Sequence, residues 1–279
     1  MYKILAKEDL TPSIHLFKIA APAVAKKAQA GQFVIVMVDD KAERIPLTLA
    51  DWDAKEGTVT IVFMEVGTST YRMNLLQAGD SLANFVGPLG VPTHIDNYGT
   101  VVCVAGGVGT APVYPIARAL RAGGNKVITI QGARCKDLIF WEDKLRSVSD
   151  RLIVTTDDGT YGRKGVVTEP LKEILQSEKV ARVIAVGPSV MMKFCAKTTE
   201  PFKVPTVVSL NSIMVDGTGM CGCCRVSVGG VTKFTCVDGP DFDGHQVDWD
   251  LLGARQRAYL DEEKHSYDQC RAIKQAANK

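Results

Sequence analysis

Residues 1–97 carry the two-residue alternation of half-buried strands. Val59, Ile61 and Phe63 interleave with Thr58, Thr60 and Val62, and turn residues separate one short run from the next. Residues 33–38 differ, forming a continuous apolar run that fits a strand buried on both faces. Helical spacing is confined to a short stretch at 71–76. The pattern predicts an antiparallel barrel or sandwich.

From residue 100 the rhythm becomes strand, glycine turn, helix. Strands are expected at 101–105, 126–130, 152–155 and 183–186, and helices at 112–122, 138–145 and 169–177, the first closed by Gly123 and Gly124. This alternation implies a parallel sheet with helices on both faces and ligands at the carboxyl ends of its strands. After about residue 205 the regularity gives way to a small loop-rich segment. Residues 250–279 are charged, with Leu251, Leu252, Arg255, Tyr259 and Leu260 at near-helical spacing, and read as a surface helix packed on the body. The expected architecture is multidomain β plus α/β: a barrel over 1–98, a parallel-sheet domain over 99–205, a small module over 206–248 and a helical tail over 249–279.

Composition narrows the chemistry. Over 279 residues, 33 basic and 31 acidic side chains leave a formal charge of +2, which argues against nucleic acid or an anionic membrane as the main partner. Residues 101–117 are uncharged, but Gly106, Gly107, Gly109, Pro112 and Pro115 punctuate them as strand, turn and helix start rather than a membrane span. Lys3, Lys7, Glu8 and Asp9 leave no apolar leader at the N-terminus, so a cytoplasmic location is expected. Thiols stay reduced there, which favours a metal or redox reading of clustered cysteines.

Of the eight cysteines, Cys221, Cys223, Cys224 and Cys236 fall within sixteen residues. Plant-type ferredoxins hold a [2Fe-2S] cluster with C-x4-C-x2-C and a distant fourth cysteine. Here Asp216 occupies the first place, and Cys221, Cys224 and Cys236 the others. Gly217, Gly219 and Gly222 let the backbone wrap closely and turn N–H groups toward sulfide. Zinc is the rival, though structural zinc sites usually show two close ligand pairs and only one is visible. A set of inert buried thiols is the other alternative. Cys223 is left out, because using it with its neighbour Cys224 on one cluster is cramped.

Further signals bear on phosphate-carrying cofactors. Arg44, Pro46, Leu47 and Thr48 end an apolar strand pair, where a guanidinium fork suits a pyrophosphate and a hydroxyl or N–H suits a ring nitrogen. Gly67, Thr68, Ser69 and Thr70 open a short helix whose free N–H groups favour phosphate oxygens. Gly106, Gly107, Gly109 and Thr110 follow a strand and open a helix without the spacing of a G-x-G-x-x-G fingerprint. Asp157 lies at the third strand end, and Gly187 and Pro188, with Met191, at the fourth. Together these strand ends make one plausible crevice.

In this order the motifs resemble the ferredoxin-NADP reductase superfamily: Arg44, Pro46, Leu47 and Thr48, then Gly106, Gly107, Gly109 and Pro112, then Gly187, Pro188 and Met191. The cysteine module narrows the likeness to electron-transfer subunits similar to that of class B dihydroorotate dehydrogenase. Asp216 and the run from Val237 to His245 resemble the small subunits of NADH-dependent reduced ferredoxin:NADP oxidoreductases. The resemblance implies FAD between barrel and parallel sheet, along residues 44–48 with its pyrophosphate capped by 67–70. It implies NAD(H) over 106–110 with Asp157, Gly187 and Pro188 near by, and single electrons leaving through the [2Fe-2S] cluster to a larger flavin and iron–sulfur subunit in a heterodimer. No side chain is assigned a catalytic role, because the cofactors carry the redox chemistry. Alternatives are the electron-transfer subunit of a class B dihydroorotate dehydrogenase or of a sulfide dehydrogenase, and a colourless, non-enzymatic metal-binding adaptor.

Overall fold

In the computed structural model, which describes residues 1–277, the first strands are β1 (Tyr2–Thr11), β2 (Ile14–Ala20), β3 (Phe33–Met37), β4 (Ile45–Asp53), β5 (Thr58–Met64), β6 (Ser81–Leu82) and β7 (Asn84–Leu89). Helix α1 (Pro22–Ala25) follows β2, and α2 (Thr68–Leu75) follows β5. The strands pair antiparallel in the order β6-β1-β2-β5-β4-β3-β7. Only Ala83 separates the two edge strands in sequence, so the sheet nearly closes on itself, as a barrel does to protect its edges. Phe17, Phe63, Phe85 and Leu49 fill the interior, and Met73 of α2 plugs it.

The second sheet uses β8 (Thr100–Gly106), β9 (Lys126–Ala133), β10 (Arg151–Thr156), β11 (Arg163–Lys164), β12 (Arg182–Val186) and β13 (Thr206–Ser209). Its helices are α3 (Thr110–Ala122), α4 (Glu142–Ser147), α5 (Thr168–Ser177) and α6 (Ser189–Thr199). Along β8, Val101, Cys103 and Ala105 pack with Ile116, Leu120 and Leu145 of α3 and α4. Val102 and Val104 face the other way, toward Leu171, Ile174, Met192 and Cys195 of α5 and α6. Both faces are covered, so the strands read as unbroken apolar runs. With a last strand, β16 (Asp241–Asp243), the order β11-β10-β9-β8-β12-β13-β16 puts the reversal of winding between β8 and β12.

After β13 come β14 (Arg225–Val228), β15 (Val231–Phe234), α7 (Thr235–Asp238) and β16 (Asp241–Asp243), then α8 (Trp249–Gln256) and α9 (Leu260–Ala277). β16 returns to pair antiparallel with β13. The cysteine segment is thus a long excursion between two strands of the parallel sheet, and regular structure continues past residue 205.

One helix departs from expectation. The stretch 138–145 is not continuous helix: a short 3-10 turn covers Lys136–Leu138, and α4 starts only at Glu142 behind Trp141, whose φ is +55°. Tertiary burial overrides local propensity here. Phe140 is buried with Ile14, Leu16, Ala50 and Val62 of the barrel, and its carbonyl accepts Gln131 Nε2 at 2.8 Å. The same junction carries Arg118 of α3, which donates to Asp51 Oδ1 of β4 at 2.7 Å while lying over Trp52 and Tyr114. Barrel and parallel sheet are docked by packed apolar surface and a partly exposed ion pair.

Candidate functional site

Strand β3 explains how the parts meet. Val34 and Val36 point into the barrel, while Phe33 and Ile35 on its other face pack with Met214, Cys224 and Cys236. The run at 33–38 is apolar throughout because it serves two cores. β4 lies beside β3 with Thr48 opposite Phe33, Leu47 opposite Val34 and Pro46 opposite Ile35. Pro46, Leu47 and Thr48 are half-buried, a polar and apolar strip left open beside a fully buried strand. Arg44, just before β4, donates from Nε to the Val215 carbonyl at 3.0 Å and from Nη2 to the Asp216 carbonyl at 3.3 Å. The barrel strip and the cysteine loop therefore share one side chain.

At the barrel end, the Thr70 hydroxyl organises the turn before α2, accepting the N–H groups of Val66 and Gly67 at 3.0 and 3.2 Å. Ser69 Oγ donates to Glu43 Oε2 at 2.8 Å. Gly67 has extended backbone and open space where a side chain would project. This is an open helix start of the kind that attracts an anion.

On the parallel sheet, Gly106, Gly107, Gly109 and Thr110 follow β8, and Gly187 and Pro188 follow β12, on either side of the winding reversal. The two loops touch. A Cβ on Gly109 would run into the Val186 carbonyl, and one on Gly187 would lie 3.0 Å from the Gly106 Cα. Asp157 sits on the same sheet edge but two strands away, roughly 10 Å at ordinary strand spacing. It is exposed, whereas its neighbour Asp158 is engaged by Thr160, whose N–H and hydroxyl hold the Asp158 carboxyl below its ordinary range.

Sequence reasoning missed the wall facing Gly187 and Pro188. A cavity of about 690 Å³ lies between α6 and α8, bounded also by Lys193, Asn211, Trp249 and Arg257. Its size suits a small-molecule ligand. No local signal ties α8 to β12; only the return of β16 brings them together.

The cysteine loop is built around glycine. Gly217 and Gly219 have φ of +85° and +88°, and a Cβ on Gly217 would lie 2.6 Å from Ile35 Cγ1. Asp216 Oδ2 accepts the Thr218 N–H at 2.8 Å and the Thr218 hydroxyl, which together keep its carboxyl below the usual range. Cys224 and Cys236 are buried with their sulfurs 3.2 Å apart. Thr235 donates from its N–H and hydroxyl to the Cys224 carbonyl, at 3.1 and 3.0 Å, fixing the pair. Burial, then the adjoining Cys224 thiol, pushes Cys236 up to about 12. Cys221 is exposed, and backbone groups of Cys223 and Asp216 hold its thiol below the ordinary value. The Cys221 thiol in turn raises Cys223.

Among the described residues, no three ligand-type side chains converge on one point as a single tetrahedral ion demands. Cys224 pairs with Cys236, while the Cys221 thiol pairs with Cys223, the cysteine left out of the expected ligand set, and the Asp216 carboxylate is taken up by Thr218. A binuclear iron cluster takes two protein ligands on each iron, and the buried pair Cys224 and Cys236 is what one of those irons needs. Sulfurs on one iron stand about 3.7 Å apart for metal–sulfur bonds of about 2.3 Å, a small widening of the observed pair.

A near-closed antiparallel barrel docked on a parallel nicotinamide-type sheet, with a cysteine module seated on the barrel, defines a reductase of the ferredoxin-reductase class. Residues 103–197 match the oxidoreductase NAD-binding domain, and residues 211–248 match the iron–sulfur cluster binding domain of dihydroorotate dehydrogenase B. A Thermotoga maritima protein, a homolog of the electron transfer subunit of dihydroorotate dehydrogenase B (NAD(+)), is 48% identical over 95% of this chain and 94% of its own. A Clostridium beijerinckii protein encoded in the adh 3' region is 51% identical over 94% of this chain and 92% of its own. A chain of the solved NADH-dependent reduced ferredoxin-NADP oxidoreductase is 47% identical, with a TM-score of 0.92 over 96% of this chain and 97% of its own. The chain belongs to the family of dihydroorotate dehydrogenase B electron-transfer subunits and their homologues. It is an oxidoreductase subunit with an NAD-binding domain and an iron–sulfur cluster binding domain. Among the described residues no helix is long and apolar enough to cross a membrane, and residues 101–117 form β8, the glycine turn and the first part of α3.

Proposed function

We propose that this chain is the small subunit of an electron-bifurcating NADH and ferredoxin:NADP transhydrogenase, working in the cytoplasm as a heterodimer with a larger flavin and iron–sulfur subunit. The observation that carries the reading is Arg44, which joins the strip beside β4 to the carbonyls of Val215 and Asp216. The flavin strip and the cluster loop are thereby held on one barrel strand pair, the arrangement an electron conduit needs. FAD held there would supply the chemistry of hydride acceptance from NADH and of single-electron release toward a [2Fe-2S] cluster.

The chain's own part is placement. Arg44, Pro46, Leu47 and Thr48 line the isoalloxazine and its first phosphate, and Gly67, Thr68, Ser69 and Thr70 hold the pyrophosphate. Gly106, Gly107, Gly109 and Thr110 let the NADH phosphates approach the backbone closely. Gly187 and Pro188 shape the nicotinamide end, and Asp157 marks the adenosine end. Asp216, Cys221, Cys224 and Cys236 hold the cluster, and the raised Cys236 thiol gives up its proton as iron binds. The working units are 1–98, 99–205, 206–248 and 249–279, the third lending β13 and β16 to the parallel sheet of the second. Support for the transhydrogenase reading comes from the 47% identity to the NADH-dependent reduced ferredoxin-NADP oxidoreductase chain and from Asp216 at the first ligand place.

The test is anaerobic purification from the native host with its partner, followed by assay of NADP⁺ reduction with NADH and reduced ferredoxin added singly and together. NADPH formation that requires both donors supports the reading. A partner that oxidises dihydroorotate overturns it in favour of the other branch of the family.

A further inference from the structure

Helix α9 runs back over the barrel and packs on α2, whose first turn contains Thr68, Ser69 and Thr70. Thr68 Oγ1 and Ser266 Oγ are hydrogen-bonded at 2.9 Å. The Tyr267 ring meets Tyr71 edge-on with centroids 5.8 Å apart, and the Tyr267 hydroxyl donates to Glu65 Oε1 at 3.0 Å. Asn74 Nδ2 donates to the other oxygen, Glu65 Oε2, at 2.7 Å. Tyr267 and Cys270 are half-buried while Ser266, Asp268 and Gln269 between and beside them are exposed, so α9 rests on a narrow stripe centred on this contact.

The chemistry of the turn gives these contacts a purpose. The start of α2 presents free N–H groups and the positive end of the helix dipole, which attract any anion. Glu65 precedes Gly67 by two residues and is a built-in competitor for a phosphate there. With one oxygen held by Asn74 and the other by Tyr267, its carboxylate is committed elsewhere.

We propose that Tyr267 is a positioning residue for the flavin: it pins Glu65 and, with Ser266, steadies Thr68, so that α9 keeps the phosphate-binding turn available to FAD. This rests on the reading of residues 67–70 as the pyrophosphate cradle.

The experiment titrates FAD into flavin-stripped, full-length protein and follows quenching of flavin fluorescence. Gly67→Val tests the cradle itself, since its side chain enters open space and its backbone is extended; it weakens FAD about thirtyfold or more, as a steric block of this kind should. Tyr267→Phe keeps the ring and loses only the hydroxyl, and binds FAD about threefold to tenfold more weakly, the range for a partly exposed bond to a charged acceptor. Its apoprotein unfolding midpoint stays at the wild-type value. The double variant Glu65→Gln with Tyr267→Phe binds FAD as Glu65→Gln does alone, because the hydroxyl acts through Glu65. Unchanged binding by Gly67→Val overturns both the cradle and the inference built on it. A weakened Gly67→Val beside a wild-type Tyr267→Phe overturns the inference alone. Additive effects in the double variant, or an affinity loss that tracks the unfolding midpoint, also overturn it.

Discussion

Replacing Gly217 by alanine should unseat the cluster loop and little else. The residue has φ of +85°, where an L side chain costs about 1–2 kcal/mol. The new Cβ would also stand 2.6 Å from Ile35 Cγ1 and 3.1 Å from Leu89 Cδ1. Ile35 is fully buried, and that clash involves the root of its side chain, so it cannot swing aside. Overpacking of this kind adds about 1–3 kcal/mol. The sum, about 2–5 kcal/mol, acts on a loop that opens locally rather than on the whole molecule, so the open fraction rises about thirtyfold at the lower limit. Hydrogen exchange by mass spectrometry should show faster exchange across 213–224 with protection of β8–β10 unchanged. Iron and acid-labile sulfide per chain should fall together. Truncating Ile35 in the same chain should return about 1–2 kcal/mol relative to the sum of the single effects, since the two residues compete for one volume. Wild-type exchange over 213–224 with full iron content in the Gly217 variant would refute the packing argument.

Other consequences are equally open to measurement. Asp216→Cys should lower the cluster potential, because thiolate donates more electron density to iron than carboxylate does; a redox titration that finds it unchanged or raised contradicts oxygen ligation. Gly109→Ala should weaken NADH binding at least about tenfold while leaving flavin content intact, because its Cβ presses on the Val186 carbonyl and separates the loops after β8 and β12; stopped-flow flavin bleaching reads both. Burial pushes the Cys103 and Cys195 thiols up to about 12, from an ordinary value of 9.0. Above pH 9 only the unfolded chain loses these protons, so stability falls as pH rises from 9 toward 12 by about 1.4 kcal/mol per unit for each thiol. Urea midpoints at pH 8.5 and 10.5 should differ less in a Cys103→Val, Cys195→Ala variant; an equal difference means other groups set the alkaline limb.

The strands and the glycine turns were legible because their signals are local. Alternation at 58–63, the apolar run at 101–105 and the breaks at Gly123 and Gly124 each report a burial pattern that neighbouring residues determine. The four-place ligand spacing was legible for the same reason. What local pattern did not carry was the company each segment keeps. β16 is three residues long and earns its place only by pairing with β13 across the whole cysteine excursion. Residues 139–141 look helical, yet Phe140 is drawn into the barrel junction and Trp141 turns the chain to reach it. Trp249 and Arg257 face Gly187 only because that same excursion closes, and the charged tail gives no hint that Tyr267 will meet Glu65. Phe33 and Ile35 show the intermediate case: burial on both faces was readable, but the second partner, Cys224 and Cys236, was not.

The most direct measurement is anaerobic reduction of the isolated chain by NADH, followed by optical and low-temperature electron paramagnetic resonance spectroscopy on the same sample. The account predicts bleaching of a bound flavin together with a binuclear iron signal, and loss of the iron signal but not of the bleaching in a Cys224→Ala, Cys236→Ala variant. A chain that NADH bleaches without any iron signal, or one that carries no bound flavin, would contradict the conduit that Arg44 is taken to join.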